Sequence, residues 1–168
     1  HMRVSGFYII RGSTLGHMGL KAIGRGRIVI EDSTIKSPAF VDLRSDYGST
    51  WEGTVEIKNS RWEPNRSGRA GLHLINSRND GTHNFGYPTY LPEEVIVDGL
   101  HLDDSFTELP THLFSDIDSE QVDPAERPFP HQLTRRVVLK DVTTTSGKSL
   151  KVSPNPWIRE SVEVIRYD

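Results

Sequence analysis

A short pattern of alternating apolar residues recurs six times along the chain. Each repeat opens with two apolar residues that flank one other residue, as in Ile28–Ile30 and Val55–Ile57. This alternation is typical of a strand that buries one face. The repeats begin at Tyr8, Ile28, Val55, Val95, Val137 and Val162. These starts are 20, 27, 40, 42 and 25 residues apart, so the longer repeats are expected to carry inserted loops.

A corner residue follows each of these strands. The residues four positions after the starts are Gly12, Asp32, Asn59, Gly99, Asp141 and Arg166. Five of the six are Gly, Asp or Asn, the types that tolerate a left-handed backbone. The next inward residues, such as Ser60 and Trp62, are shifted by one position, as a sharp bend at the corner predicts. A third strand per repeat is predicted within residues 18–20, 40–43, 71–74 and 149–152, with 112–114 a poorer match.

The pattern predicts an all-β fold, a right-handed parallel β-helix (solenoid) of about six coils with two long loop insertions. One domain is expected over residues 3–168, with His1 and Met2 a cloning scar and the chain a fragment of a longer protein. The right hand is the general expectation for crossovers between parallel strands. A β-sandwich is the alternative, but no two-residue hairpin turn such as Asn-Gly joins the alternating runs.

Composition narrows the classes of function. A net charge of −3 gives no reason to expect a nucleic-acid partner. No apolar run reaches the roughly 18–20 residues of a membrane span. The absence of cysteine excludes disulfides, thiolate zinc sites and cysteine catalysis.

Three repeat units carry a resemblance to a known superfamily. Residues Ile28–Ile35, Val55–Trp62 and Val95–Leu102 resemble coils of the right-handed parallel β-helix superfamily, which includes pectate-lyase-like enzymes, polygalacturonase-like hydrolases and phage tailspikes. The resemblance implies contact with long acidic or neutral polysaccharides, paired carboxylates in hydrolases, and calcium with a basic residue in lyases. Of the polygalacturonase-like motifs only an Asp-Asp pair is present, which makes Asp103 and Asp104 catalytic candidates. A secreted, cell-surface or virion location follows from the same resemblance.

The predicted third strand presents an outward row of polar residues. Asp42, Arg44, His73 and Lys151 are expected to stack along the axis of the solenoid. A carboxylate, a guanidinium and an imidazole in one row are groups that bind sugars or transfer protons. Asp42 and His73 are therefore further catalytic candidates, and Arg44 and His73 are substrate-binding candidates. The alternative is a solvated, charged sheet face.

The first long insertion, residues 78–92, is rich in turn-forming and aromatic residues. Asp80, His83, Tyr87 and Tyr90 are candidates for binding a sugar, because aromatic rings cover the apolar faces of sugars while polar tips orient them. The alternative is that these aromatic rings pack the loop against the solenoid.

The second insertion, residues 103–134, is acidic, with eight carboxylates against one basic residue. Asp116, Asp118 and Glu120 alternate, so three oxygen ligands could lie on one side of a strand and bind Ca²⁺. The spacing lacks the glycine and terminal glutamate of an EF-hand loop. The favoured alternative is an acidic surface flap with no cofactor.

The sequence thus predicts a carbohydrate-recognising β-helix module that binds or helps to process a polysaccharide on a cell or phage surface. The alternative is a non-catalytic structural or assembly solenoid, and a third hypothesis is a polysaccharide lyase or glycoside hydrolase. Exposed strand edges at both ends predict edge-mediated or trimeric self-association.

Overall fold

The computed structural model describes residues 5–16, 20–43, 50–65, 71–77, 89–117 and 131–167. Within these residues nearly all of the regular secondary structure is β-strand, with one six-residue helix. The elements are β1 (Ser5–Arg11), β2 (Thr14–Leu15), β3 (Gly24–Glu31), β4 (Thr34–Ile35), β5 (Ala39–Asp42), β6 (Trp51–Trp62), β7 (His73–Asn76), β8 (Thr89–Tyr90), β9 (Glu94–Leu102), β10 (His112–Phe114), β11 (His131–Gln132), β12 (Arg136–Thr144), α1 (Pro156–Ser161) and β13 (Glu163–Tyr167).

Every pairing between the described strands is parallel. The large sheet has the order β1-β3-β6-β9-β12-β13, with β2 and β4 joined at its side. A small sheet has the order β10-β7-β5, and β8 pairs with β11. We call the stretch from one strand of the large sheet to the next a pass. The all-β prediction is confirmed, and the antiparallel sandwich alternative is wrong for these strands.

The register of the large sheet follows the predicted repeat through five passes. Tyr8, Ile28, Val55, Val95 and Val137 are aligned neighbours across successive strands. On β13, the sixth strand of the large sheet, Val164 is the residue that pairs with Val137. The repeat therefore continues two residues beyond the predicted start at Val162. This shift arises because helix α1, which the sequence did not predict, precedes β13 and has Val162 as its C-terminal cap. The corner predicted at Arg166 is therefore wrong, because Arg166 pairs with Leu139 inside the strand.

The five other predicted corners have left-handed backbone. Their φ angles are 59° at Gly12, 49° at Asp32, 42° at Asn59, 83° at Gly99 and 51° at Asp141. In β6 the inward face changes parity across Asn59, since Ile57 and Ser60 are both buried. Sharp corners of this kind let one continuous strand line two walls of the core.

Serine hydroxyl groups connect the corners of neighbouring passes. Ser33 Oγ donates to the carbonyl of Glu31 at 2.7 Å, and Ser60 Oγ donates to the carbonyl of Lys58 at 2.7 Å. The N–H of Ser13 donates to Ser33 Oγ at 3.2 Å, and the N–H of Ser33 donates to Ser60 Oγ at 3.3 Å. Each buried hydroxyl group is thereby satisfied, which removes the cost of placing a polar atom in the core.

The core lies between the large and small sheets. Phe40 from β5 meets Trp62 from β6 edge to face, with ring centroids 5.9 Å apart. Trp62 Nε1 donates to the carbonyl of Ser37 at 2.7 Å, so the indole packs and hydrogen-bonds at once. The parallel strands and these contacts set the position of every outward residue on the small sheet.

A glycine column crosses the start of the large sheet. Gly6, Gly26 and Gly53 are aligned on β1, β3 and β6, and φ is 121° at Gly26 and 124° at Gly53. A Cβ added at Gly53 would lie 2.2 Å from the carbonyl oxygen of Gly26. The space beside Gly53 is filled by the backbone of Gly26, which cannot move aside as a side chain could.

We expect Gly53→Ala to lower the free energy of unfolding by more than about 2 kcal/mol, because both the φ angle and the space exclude a side chain. Gly16→Ala is the control, since a Cβ there meets nothing within 4 Å. Urea denaturation of the three proteins measures the difference. Equal midpoints for Gly53→Ala and Gly16→Ala would contradict the close stacking of these strands.

Candidate functional site

The small sheet brings a row of three cationic or titratable side chains together. His73 pairs in register with His112, and His112 forms a bridge with Lys151 on the next pass. We call His73, His112 and Lys151 the histidine row. The sequence predicted His73 and Lys151 in one row, whereas His112, from the poorer-matching segment, was not assigned to it. The available signal was the His-Leu pair with which both β7 and β10 begin.

Asp42 does not join this row, contrary to the prediction. It pairs with Asn76, three residues along the strand from His73, and so lies outside the register row of His73. Asn76 Nδ2 donates to Asp42 Oδ1 and Lys21 Nζ contacts Asp42 Oδ2, both at 2.7 Å. The error has a physical cause, because Val41 and Ile75 are buried as well as the alternate residues beside them, so alternation did not fix the inward face.

The two imidazole rings stack. Their centroids are 5.9 Å apart and their planes differ by 17°. Burial, together with the neighbouring His112, lowers the pKa of His73 to about 4, although Asp116 opposes the shift. Burial and the charges of Lys151 and Arg159 also lower the pKa of His112. Both rings are therefore neutral at neutral pH.

Helix α1 brings a second cation to the row. Its N-cap is Asn155, whose Oδ1 accepts from the N–H groups of Trp157 and Ile158 at 3.0 and 3.3 Å. The side chain of Asn155 also donates to Asp116 Oδ1 at 2.9 Å. Arg159 Nη1 donates to the carbonyl of Ser153 at 3.0 Å, which fixes the guanidinium against the segment that follows Lys151. Sequence reasoning missed this helix, and the Asn-Pro pair at its start was the available signal.

A crevice of about 410 Å³ lies beside Lys151. Its apolar lining comes from Leu109, Pro110 and Leu150, and its polar lining includes Thr111, Lys148 and Lys151. The N–H of Lys151 donates to the carbonyl of Thr111 at 2.9 Å, so the backbone joins two sides of the crevice. We use "the crevice" for this cavity below.

Polar groups in the crevice and in the adjoining histidine row lack partners among the described residues. Thr111 Oγ1 and His112 Nδ1 are buried and have no hydrogen-bond partner within the part of the chain that the structure describes. Lys148 Nζ contacts Glu108 Oε2 at 3.2 Å, whereas Lys151 is exposed and has no carboxylate partner among the described residues. On the large sheet, by contrast, Arg136 pairs with Glu94 and Lys140 with Asp98.

The predicted carboxylate pair is divided between two turns. Asp104 is buried, and its carboxylate accepts from the N–H of Ser146 at 2.8 Å and from Ser146 Oγ at 2.5 Å. Asp103 Oδ1 accepts from the N–H and the hydroxyl group of Ser105, at 3.1 and 2.6 Å. Asp104 also lines the crevice, but its oxygens hold residues 103–104 against the turn at Ser146.

Most of the loop candidates, together with Arg44 of the predicted outward row, lie outside the described residues. The loop candidates concerned are Asp80, His83, Tyr87, Asp118 and Glu120. Tyr90 is described and is half-buried on β8, where it pairs with Gln132. Of the calcium candidates only Asp116 is described. Among the residues with described positions, no group of three or more His, Asp or Glu could hold a metal ion.

Comparison with protein-family models, with curated proteins and with solved structures finds no match to this chain. None of the described helical residues forms a helix long and apolar enough to cross a membrane. The function is therefore argued from the crevice and the histidine row.

We expect Asp104→Ala to destabilise the protein by about 1–3 kcal/mol, because Ser146 loses the acceptor of two hydrogen bonds at a buried position. Asp104→Asn retains one acceptor oxygen and should lose clearly less. Thermal unfolding monitored by circular dichroism measures both. Glu108→Ala, at a fully exposed side chain, is the control with little change. An Asp104→Ala protein as stable as the parent would contradict the structural role of this carboxylate.

Proposed function

We propose that the chain is a right-handed parallel β-helix of about six coils that acts as a polysaccharide-binding module. The spatial order of the large sheet repeats the sequence order, and successive corners have positive φ, which supports a solenoid. The right hand follows from the crossover rule for parallel strands. The proposed location is secreted, at a cell surface or on a virion.

The observation that carries the proposal is the composition of the crevice. Leu109, Pro110 and Leu150 offer apolar surface for the C–H faces of a sugar. Thr111 and Lys151 add hydrogen-bonding groups that lack side-chain partners among the described residues. Apolar surface with a few convergent polar groups is the usual make-up of a small-molecule site.

The histidine row extends this site along the stacking direction. Side chains on successive parallel strands are about 4.8 Å apart, so the row presents polar groups at regular steps beside the crevice. An extended polymer can contact the crevice and the row together, whereas a monosaccharide can occupy only one of them. A polysaccharide is therefore the favoured ligand.

A structural or assembly role is the second candidate. β1 is the outermost described strand on its side of the large sheet, and Phe7 and Ile9 on it are 62% and 50% exposed. An open, apolar edge favours pairing with another chain. A lyase or hydrolase has less support, because the carboxylates of Asp103 and Asp104 are engaged by Ser105 and Ser146.

The test is affinity electrophoresis through gels that contain dextran, pullulan, alginate or polygalacturonate. We expect at least one polymer to retard the protein, and Lys151→Met to weaken the dissociation constant roughly tenfold, because a charged hydrogen bond is lost while the apolar stem is kept. Lys36→Met, an exposed lysine outside the crevice, is the matched control. Unchanged mobility in every gel would contradict the proposal, as would equal retardation of Lys151→Met and the parent.

A further inference from the structure

We propose that His73, His112, Lys151 and Arg159 form an anion subsite, which takes sulfate or carboxylate groups of the polymer and binds them more tightly as the pH falls. This inference rests on the proposed polysaccharide-binding function and adds the charge class of the ligand and a proton-linked control of its affinity. We call these four residues the anion subsite.

The first argument is geometric. Three of the four residues belong to one register row, with His73 on β7, His112 on β10 and Lys151 on the following pass. Arg159 reaches the same place from α1 and is fixed there by the carbonyl of Ser153. Successive groups about 4.8 Å apart suit a polymer that carries charge at repeated positions.

The second argument is the balance of charge. Lys151 and Arg159 lie close enough to His112 to oppose its protonation. The carboxylate that faces His73 is Asp116, which is itself bonded to Asn155. The described groups therefore place two permanent cations against one carboxylate, and a bound anion would balance the excess.

The third argument is the unsatisfied nitrogen. His112 Nδ1 is buried and has no partner among the described residues. A buried polar atom without a hydrogen bond is costly, and an anionic oxygen removes this cost best when the ring is protonated and donates. A bound anion and a proton on the ring together give His112 Nδ1 the hydrogen bond that it lacks.

The direction of the pH dependence follows from this coupling. In the absence of ligand, burial lowers the pKa of both histidines; the neighbouring His112 adds to the shift of His73, and Lys151 and Arg159 add to that of His112. A bound anion raises these pKa values, because it stabilises the imidazolium. Proton uptake then accompanies binding, and affinity must rise as the pH falls. Without ligand the same depressed pKa values lower the stability of the fold on acidification below the unfolded pKa of histidine.

The experiment measures the binding of unlabelled dextran sulfate by isothermal titration calorimetry at constant ionic strength, at about pH 7.5 and about pH 5.5. Sulfate esters do not titrate in this range, so any change belongs to the protein. We expect affinity to rise roughly threefold to tenfold at the lower pH, as an average uptake of about a quarter to a half of a proton predicts. Circular dichroism at both pH values checks that the protein remains folded.

His112→Gln should flatten the pH dependence, because glutamine keeps hydrogen-bonding capacity but does not titrate. His101→Gln is the matched control, since His101 is an exposed histidine on the large sheet whose ring bonds to Thr143 and Thr145. The control should keep the full rise. Polygalacturonate in a parallel arm shows whether carboxylates are accepted as well as sulfates, and uncharged dextran should show no rise.

The outcomes separate the two proposals. Binding of dextran sulfate that does not change with pH, or a rise that survives in His112→Gln, overturns the anion subsite and leaves polysaccharide binding in place. Failure of all three polymers at both pH values, with a folded protein, overturns the anion subsite, and the polysaccharide-binding function falls with it when pullulan and alginate gels also leave the mobility unchanged.

Discussion

The whole arrangement depends on corners that allow each pass to return in register over the one before it. Only a residue with positive φ can bend the strand this sharply, and Gly, Asp and Asn occupy these corners because they tolerate that backbone. The conformational strain of a left-handed residue is small at each corner and recurs at every corner. In return, every inward side chain is aligned with its equivalent on the neighbouring passes, so the core can be built from one short pattern.

Regular stacking has a consequence for function. Any outward residue that recurs at the same position becomes part of a row, and a row with a regular spacing is suited to a polymer. On the large sheet the charges of such rows largely cancel, as in the pairs Arg136–Glu94 and Lys140–Asp98. Beside the row of His73, His112 and Lys151, the described residues place two permanent cations, Lys151 and Arg159, against one carboxylate, Asp116. The imbalance, next to a partly apolar crevice, is what distinguishes this surface.

The corners and the strands of the large sheet were predictable because residue type reports directly on local backbone conformation. Asp32 and Asn59 were identified in this way, and so was the change of parity at Ser60. The register of the small sheet was not predictable. Apolar residues on both faces of β5 and β7 are buried, so the alternation of apolar and polar residues does not indicate which face points to the core. Asp42 was placed beside His73 for this reason.

The candidate site was only partly predictable. His73, Lys151 and Asp104 were singled out from their types and positions, whereas Thr111, Lys148 and Arg159 were not. They reach the site through the turns after β9 and β12 and through the six-residue α1, and such short segments have no periodic signal. The sequence also drew attention to Asp103 and Asp104 as a catalytic pair, but their hydrogen bonds to neighbouring serines depend on turn geometry that the residue types alone do not specify.

The histidine row exists only if β7 and β10 pair in this register, and a pair of introduced cysteines measures that register, since the chain has no cysteine of its own. His73 and His112 are aligned on neighbouring strands, so their Cα atoms should be about 5 Å apart, within the reach of a disulfide. Asp42 and His73 are on neighbouring strands and offset by three residues, which places their Cα atoms about 11 Å apart, beyond that reach. We expect mild oxidation followed by mass spectrometry to find a disulfide in His73→Cys/His112→Cys and none in Asp42→Cys/His73→Cys. The reverse result would contradict the register and the row built on it.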